Sequence, residues 1–135
     1  SAASDVYKRQ LQYLAVSNID KPIGKIIYTQ FLNSRGGIEA DLTISRTGEE
    51  EFYIVTGSAF GVHDRSWIEK HSPRDGSVVI DDLTEEFGVI NLCGPHARDV
   101  LQNVTDDDIS NETLPFSSYA DIRVAGHPVR AMRIG

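Results

Sequence analysis

The stretch GKIIYTQFLNSRGGIEADLTISR, residues 24–46, contains two β-rich runs joined by a turn. The runs GKIIYTQFLN (24–33) and GIEADLTISR (37–46) are rich in Ile, Tyr, Thr and Phe, which favour strands. The SRGG segment between them supplies glycine, which adopts positive φ at little steric cost. The pattern therefore predicts an antiparallel hairpin.

The second strand of this hairpin has one apolar and one polar face. Successive side chains of a strand point to opposite sides of the sheet. One side carries Ala40, Leu42 and Ile44, which we expect to face the core. The other side carries Asp41, Thr43 and Ser45.

A turn centred on residues 35–36 would bring polar side chains of the two strands together. In that register Gln30 lies opposite Asp41, and Tyr28 lies opposite Thr43. The four residues then form one polar patch. This patch is either a binding surface or an ordinary solvated sheet face, and the hairpin pattern alone leaves both interpretations open.

The rest of the chain predicts further strands and helices. In chain order these are the end of a helix at LQYLAV (11–16), a third strand at EEFYIVTG (50–57), a helix at GVHDRSWIEKH (61–71), strands at SVVIDDL (77–83) and FGVINLCG (87–94), a helix at GPHARDVLQNV (94–104), and two strands around a Gly-His-Pro turn in YADIRVAGHPVRAMRI (119–134). Strands dominate and are joined by short turns. The predicted class is therefore α+β, an antiparallel sheet with packed helices.

Both internal helices carry apolar residues at roughly helical spacing. Ser58 is a candidate N-cap for the helix at 61–71. The spaced residues of that helix are Val62, Trp67, Ile68 and His71. Those expected to be buried by the helix at 94–104 are Ala97, Val100, Leu101 and Val104.

The first ten residues, SAASDVYKRQ, resemble codon for codon the translated adaptor and transposon end of shotgun sequencing libraries. We therefore assign residues 1–10 to a cloning scar and residues 11–135 to the native domain. The scar brings almost no apolar surface to bury, so we expect it to be mobile. The only methionine is Met132, so we expect a metagenomic gene fragment that is truncated at both ends.

The charge balance argues against nucleic acid as a partner. The chain has 13 basic and 20 acidic residues and a formal net charge of −7, so it lacks the basic surface that phosphate binding needs. The sequence has no apolar run of membrane-spanning length, and we expect no membrane partner.

The sequence offers no pattern for a metal or disulfide site. The single cysteine, Cys93, excludes an internal disulfide, and its apolar neighbours predict a buried strand residue. The four histidines have no ligand spacing, so we expect no metal. His63 and Asp64 are adjacent, but no nucleophile elbow accompanies them.

Four stretches carry a resemblance to a known family. They are KPIGKIIYTQFLNSRGGIEADLTI (21–44), EEFYIVTGSAFGVHDRSWIEKH (50–71), FGVINLCGPHARDVLQ (87–102) and PVRAMRIG (128–135). In this order they resemble the folate-binding domain shared by aminomethyltransferases and the C-terminal half of dimethylglycine and sarcosine dehydrogenases. IEADLT and VTGSAFGVHD are closer to the flavin-linked dehydrogenases. Ala40 and Gly57 stand where aminomethyltransferases are expected to have an acidic residue and an Asn.

The resemblance implies a partial aminomethyltransferase-type domain that binds tetrahydrofolate. In such dehydrogenases an upstream FAD domain oxidises an N-methyl amine to an iminium, and the folate domain captures the one-carbon unit as 5,10-methylenetetrahydrofolate. The resemblance makes Asp41 the catalytic acid–base group. It places Tyr28, Thr43 and Gly57 in the folate pocket, with Gly57 leaving room for the pterin. Phe60 could pack against the ligand, although core packing is the favoured interpretation.

Two alternative functions stay open. One is a free-standing aminomethyltransferase, the T-protein of the glycine cleavage system, and the other is a non-catalytic folate-binding protein of iron–sulfur assembly. The sequence upstream of residue 11 would distinguish the dehydrogenase from the free-standing aminomethyltransferase, since a dehydrogenase would carry a dinucleotide-binding domain there. We expect a cytoplasmic protein if the source is bacterial and a mitochondrial-matrix protein if it is eukaryotic. The fragment alone is expected to have no turnover.

Overall fold

The computed structural model describes residues 4–135, with side chains from residue 6 onward. The chain divides into two compact units, one ending at Ile80 and the other comprising Asp81–Gly135. Both are built from helices and antiparallel strands, which confirms the α+β class.

The first unit contains a three-stranded antiparallel sheet and two helices. Helix α1 comprises Ser4–Leu14, and the strands are β1 (Ile26–Leu32), β2 (Ile38–Arg46) and β3 (Phe52–Thr56). A single 3₁₀ turn at Ser58–Phe60 leads into helix α2, Gly61–Lys70. The sheet order is β1-β2-β3, so the predicted hairpin forms two thirds of the sheet.

The core of the first unit lies between one face of this sheet and the two helices. The predicted core residues Ala40, Leu42 and Ile44 are buried, and Phe31 from β1 is fully buried beside them. Leu14 of α1 and Ile68 of α2 complete the cluster. Each fully buried side chain of this size contributes about 1.5–3 kcal/mol, which makes this face the main stabilising surface of the unit.

The hairpin turn departs from the expected geometry by one residue. The turn is closed by Asn33, whose N–H donates to Gly37 O at 2.9 Å and whose Oδ1 accepts two further backbone bonds. Gly36 has φ +78°, a backbone conformation that would be strained in a residue with a side chain. The register shifts between Phe31 and Leu32, and this bulge leaves Glu39 without a directly paired residue on β1.

Helix α1 includes residues that the sequence interpretation assigned to the scar. The expected mobility is wrong for Ser4–Gln10, which are helical and continuous with Leu11. Gln10 is buried, and its side-chain amide donates to Ile68 O at 3.2 Å and to the Ser72 hydroxyl. Polar contacts therefore replace the apolar surface that the segment lacks. Residues 1–3 lie outside the described residues, and the assignment of 1–10 to a scar stays a prediction.

Helix α2 forms where it was predicted but begins differently. Ser58 is not its cap, because the 3₁₀ turn intervenes and Phe60 occupies the N-cap position without a side-chain bond. Ile68 is buried as expected, whereas Val62 is 85% exposed. Asp64 is buried instead of Val62, and the spacing of apolar residues could not indicate this.

The second unit contains helix α3 (Ala97–Gln102) and a two-stranded hairpin of β4 (Ser118–Val124) and β5 (His127–Arg133). Its turn is Ala125–Gly126, so His127 and Pro128 belong to β5 rather than to the turn. The small core consists of Ile109, Leu114 and Ile122, with Leu101 of α3 packed against it. The predicted burial of Val100 and Val104 is wrong, since both are about half exposed.

The strands predicted at 77–83 and 87–94 do not form. Neither segment is paired with a strand among residues 4–135, and Val79, Val89 and Ile90 are 67%, 75% and 93% exposed. Cys93 is exposed rather than buried. A β-rich composition becomes a strand only where a neighbour accepts its backbone hydrogen bonds, and the described residues supply none here.

Candidate functional site

The predicted polar patch forms on the exposed side of the hairpin. Gln30 lies opposite Asp41, and Tyr28 lies opposite Thr43, in the predicted register. The Gln30 amide donates to Asp41 Oδ1 at 3.2 Å. Asp41 is exposed and Tyr28 is 63% exposed, so both are accessible to a ligand. We call these four residues the polar face.

The Tyr28 phenol interacts with the carboxylate diagonally across from it. A hydrogen bond to Asp41 is the main reason that the pKa of Tyr28 lies above its usual value, because it favours the protonated phenol. The Asp41 carboxylate therefore interacts with two side chains of β1, Gln30 and Tyr28.

Gly57 borders the polar face on the side of β3, away from β1. β2 and β3 pair antiparallel up to Leu42 and Thr56, and the next step of that register brings Gly57 alongside Asp41. Gly57 has an ordinary extended backbone with φ −64°, so its conformation does not require glycine. Because Gly57 has no side chain, the nearest group on this side is the Phe60 ring.

Phe60 lies next to Gly57. A Cβ placed on Gly57 would lie 3.5 Å from the Phe60 ring, and Phe60 is 62% exposed. The expectation that Phe60 packs in the core is therefore wrong. Its ring is an accessible aromatic surface at the border of the polar face.

The polar face ends at Ser45. This residue was expected to share the exposed side with Asp41, but it is fully buried, and Ile26 opposite it is also buried. Its hydroxyl has no hydrogen-bond partner among the described residues. The accessible polar surface is thus confined to the half of the sheet nearest the hairpin turn.

A second polar cluster, which the sequence interpretation set aside, lies at the start of α2. His63 Nδ1 is 3.0 Å from Asp64 Oδ1, and His63 Nε2 is 3.4 Å from Glu39 Oε2. Asp64 also accepts a hydrogen bond from the Thr56 hydroxyl. We call Glu39, Thr56, His63 and Asp64 the His63 bridge.

The bulge in β2 explains why Glu39 belongs to this cluster. Strict alternation would place Glu39 on the same side as Asp41, but it is the residue that the register shift leaves unpaired. A bulge redirects a side chain in this way. Glu39 accordingly contacts His63, and its Oε1 accepts from Asn33 Nδ2 at 2.8 Å. The adjacent His63-Asp64 pair was visible in the sequence, whereas this third partner was not.

The pKa of His63 is raised, first by its hydrogen bond to Asp64 and then by the charges of Asp64 and Glu39. Both carboxylates favour the imidazolium form. The other histidines make different contacts, such as His71 Nδ1 with Trp67 O at 2.8 Å. Within residues 4–135, His, Cys, Asp and Glu form no group of three or more suited to a metal ion.

A groove of about 460 Å³ borders Tyr13, Trp67 and His71, and none of the polar-face residues lines it.

No helix in the described part of the chain has the length and apolar character needed to cross a membrane.

Comparison with known proteins gives a consistent result. The profile of the GCVT N-terminal domain matches residues 7–135. The chain is 34% identical to mitochondrial sarcosine dehydrogenase of Mus musculus over 94% of its length and 37% identical to mitochondrial dimethylglycine dehydrogenase of the same species over 87%. An aminomethyltransferase of Staphylococcus haemolyticus is 30% identical over 78% of the chain. The matched region is only 15%, 14% and 28% of the length of these three relatives, respectively.

Proposed function

Because the chain belongs to the GCVT N-terminal domain family, we propose that it is the tetrahydrofolate-binding, one-carbon-transfer part of an FAD-dependent dimethylglycine or sarcosine dehydrogenase. The observation that carries the proposal is the position of Asp41, an accessible carboxylate on the exposed face of the hairpin, hydrogen-bonded to Gln30 and diagonally across from Tyr28. An accessible acid–base group is what proton transfer to or from a ligand needs.

The residues around Asp41 fit a flat, polar ligand such as a pterin. The polar face offers a carboxylate, an amide and two hydroxyl groups, which suit the many donors and acceptors of such a ring. Gly57 adds no side chain at the border of the polar face, and Phe60 provides an accessible aromatic ring beside it. Tyr28, Thr43 and Gly57 are therefore proposed to hold the folate. None of the described residues is assigned to FAD.

The proposed chemistry gives each side chain a separate task. Bound tetrahydrofolate would supply the amine that captures the iminium-derived carbon as 5,10-methylenetetrahydrofolate. Asp41 accepts the proton that this amine must lose, and its negative charge stabilises cationic character nearby. Gln30 holds the carboxylate by its hydrogen bond, and Tyr28 lies diagonally across from it.

The dehydrogenase assignment is favoured over a free-standing aminomethyltransferase by sequence similarity. Identity to the two dehydrogenases is 34% and 37%, against 30% to the aminomethyltransferase over a shorter match. Both alternatives use the same candidate site, so the assignment of Asp41 does not depend on the choice.

The test is Asp41→Asn in the full-length protein. This change keeps the shape and removes the base, so methylenetetrahydrofolate formation should slow by roughly 10²-fold or more while amine oxidation stays nearly unchanged. Asp106→Asn, at an exposed carboxylate of the second unit, is the matched control and should alter neither rate. Unchanged folate product in Asp41→Asn would refute the catalytic assignment.

A further inference from the structure

The His63 bridge has no task in the proposed proton transfer, yet it joins three elements around the candidate site. We propose that the bridge is a positioning device that holds the Gly57 border of the polar face against the strand that carries Asp41. This inference rests on the proposed function. It assigns a role to side chains that the acid–base chemistry leaves without one.

The first contact acts on the end of β3. Asp64 has a side chain only 4% exposed and accepts the hydroxyl hydrogen bond of Thr56, the residue before Gly57. Gly57 O in turn accepts from Phe60 N–H at 2.9 Å. Because a buried carboxylate is costly to leave unpaired, Thr56 is restrained, and the Gly57–Phe60 segment is restrained with it.

The second contact acts on β2. His63 reaches from the first turn of α2 to Glu39, which lies two residues before Asp41 on the same strand. Glu39 is itself tied to the hairpin turn by Asn33. The bridge therefore connects the Gly57 end of β3, through α2, to the strand segment that carries Asp41.

The strength of the second contact depends on the charge of His63. The charged groups that face His63 are Asp64 from α2 and Glu39 from β2, and its ring also lies nearly parallel to Trp67, with centroids 6.4 Å apart. Lys70 lies over the Trp67 ring, 5.7 Å from its centroid. The pKa of His63 is raised above its ordinary 6.5, chiefly by Asp64. The charged bridge is therefore complete below pH 6.5 and is lost as the pH rises through the raised pKa.

The experiment compares wild type with His63→Gln between pH 6 and 9. We expect tetrahydrofolate affinity at pH 6 to fall about tenfold in His63→Gln, the effect of losing a hydrogen bond to a charged group. Wild-type affinity should fall toward that of the variant as pH rises, while the affinity of the variant should be nearly independent of pH. The exchange protection of the Phe60 amide, corrected for intrinsic rate, should follow the same pattern without ligand. His96→Gln removes an exposed histidine paired with Asp99 and is the matched control.

Each outcome separates the two proposals. Equal affinity and equal Phe60 protection in wild type and His63→Gln at pH 6 would overturn the positioning role while leaving the folate site intact. If wild type binds no tetrahydrofolate at any pH, the proposed function fails, and the ligand role of the bridge fails with it. Should His63→Gln not fold, Glu39→Gln keeps the Asp64 contacts; its tetrahydrofolate affinity at pH 6 should fall by less than in His63→Gln and should depend on pH less than that of wild type. An unchanged pH profile in that variant would contradict the inference.

Discussion

The β1–β2 hairpin and the β4–β5 hairpin begin from similar sequence patterns but bury very different amounts of side chain. In the first, Phe31, Leu42 and Ile44 are almost completely buried, because a third strand and two helices contribute to the same core. In the second, only Ser118 and Ile122 are buried, and no residue of β5 is. A two-stranded hairpin cannot exclude water by itself.

This difference bears on where a binding site can form. The first hairpin has one face anchored by a core, so its other face can hold Asp41, Gln30 and Tyr28 in a defined arrangement. In the second hairpin, exposed polar side chains interact with each other. Arg130 donates a hydrogen bond to Asp121 at 2.9 Å and lies over the Tyr119 ring. Exposed polar side chains thus pair with each other on both hairpins, but the core that anchors the first hairpin is the larger.

The largest expected effect comes from removing the anchor of the first hairpin. Phe31→Ala should reduce the free energy of unfolding by about 3–5 kcal/mol, because it removes a fully buried aromatic ring and leaves a cavity. Trp67, the only tryptophan, packs against the same cluster, so its fluorescence during urea unfolding reports the loss.

Ile122→Ala is the matched change in the second hairpin, and amide exchange shows where each variant acts. Phe31→Ala should lower protection mainly in β1, β2 and β3, and Ile122→Ala mainly in β4 and β5. Uniform loss of protection across the chain in both variants would contradict the division into two cores.

An intermediate effect is expected at the two turns, with opposite signs. Gly36 has φ +78° in open space, so Gly36→Ala should cost about 1 kcal/mol from backbone strain alone. Ala125 has φ +49°, a conformation that favours glycine, so Ala125→Gly should stabilise by a few tenths to about 1 kcal/mol. Urea midpoints at constant slope measure both changes. Two changes of the same sign would show that the turns do not differ in this way.

The smallest effect concerns the exposed ion pair of the second hairpin. The hydrogen bond from Arg130 holds the pKa of Asp121 below its ordinary 3.8. The stabilisation by the Arg130–Asp121 ion pair is therefore present above pH 3.8 and is lost as the pH falls through the lowered pKa of Asp121. Because the pair is exposed, it contributes under about 1 kcal/mol to the free energy of unfolding. Exchange protection in β4 and β5 should decrease between pH 5 and 2 by more in wild type than in Asp121→Asn. Identical pH profiles would show that the pair contributes nothing.

Much of the first unit could be predicted from the sequence because its signals are local. The pairing of Gln30 with Asp41 and of Tyr28 with Thr43 follows from side-chain alternation and the length of one turn, and the structure confirms it. Helix α2 and the β4–β5 hairpin also form where predicted. The catalytic role of Asp41 and the pocket roles of Tyr28, Thr43 and Gly57 stay predictions.

The errors have a shared physical origin. The segments at 77–83 and 87–94 have the composition of strands, but composition cannot supply the neighbouring strand that completes one. The burial expected for Val100, Val104 and Cys93 also depends on an opposing surface that local spacing does not specify. In α1, polar contacts from Gln10 to α2 gave structure to a segment with little apolar surface.

The sequence by itself determined which residues of the hairpin share a face, since alternation and turn chemistry act over a few neighbouring residues. Only the tertiary structure decided that Glu39, at the bulge, contacts His63, that the exposed Phe60 ring lies beside Gly57, and that Asp64 is buried against Thr56. These contacts join residues from separate elements. Their formation depends on how the whole sheet and its helix pack, and that information is not contained in any short stretch of the chain.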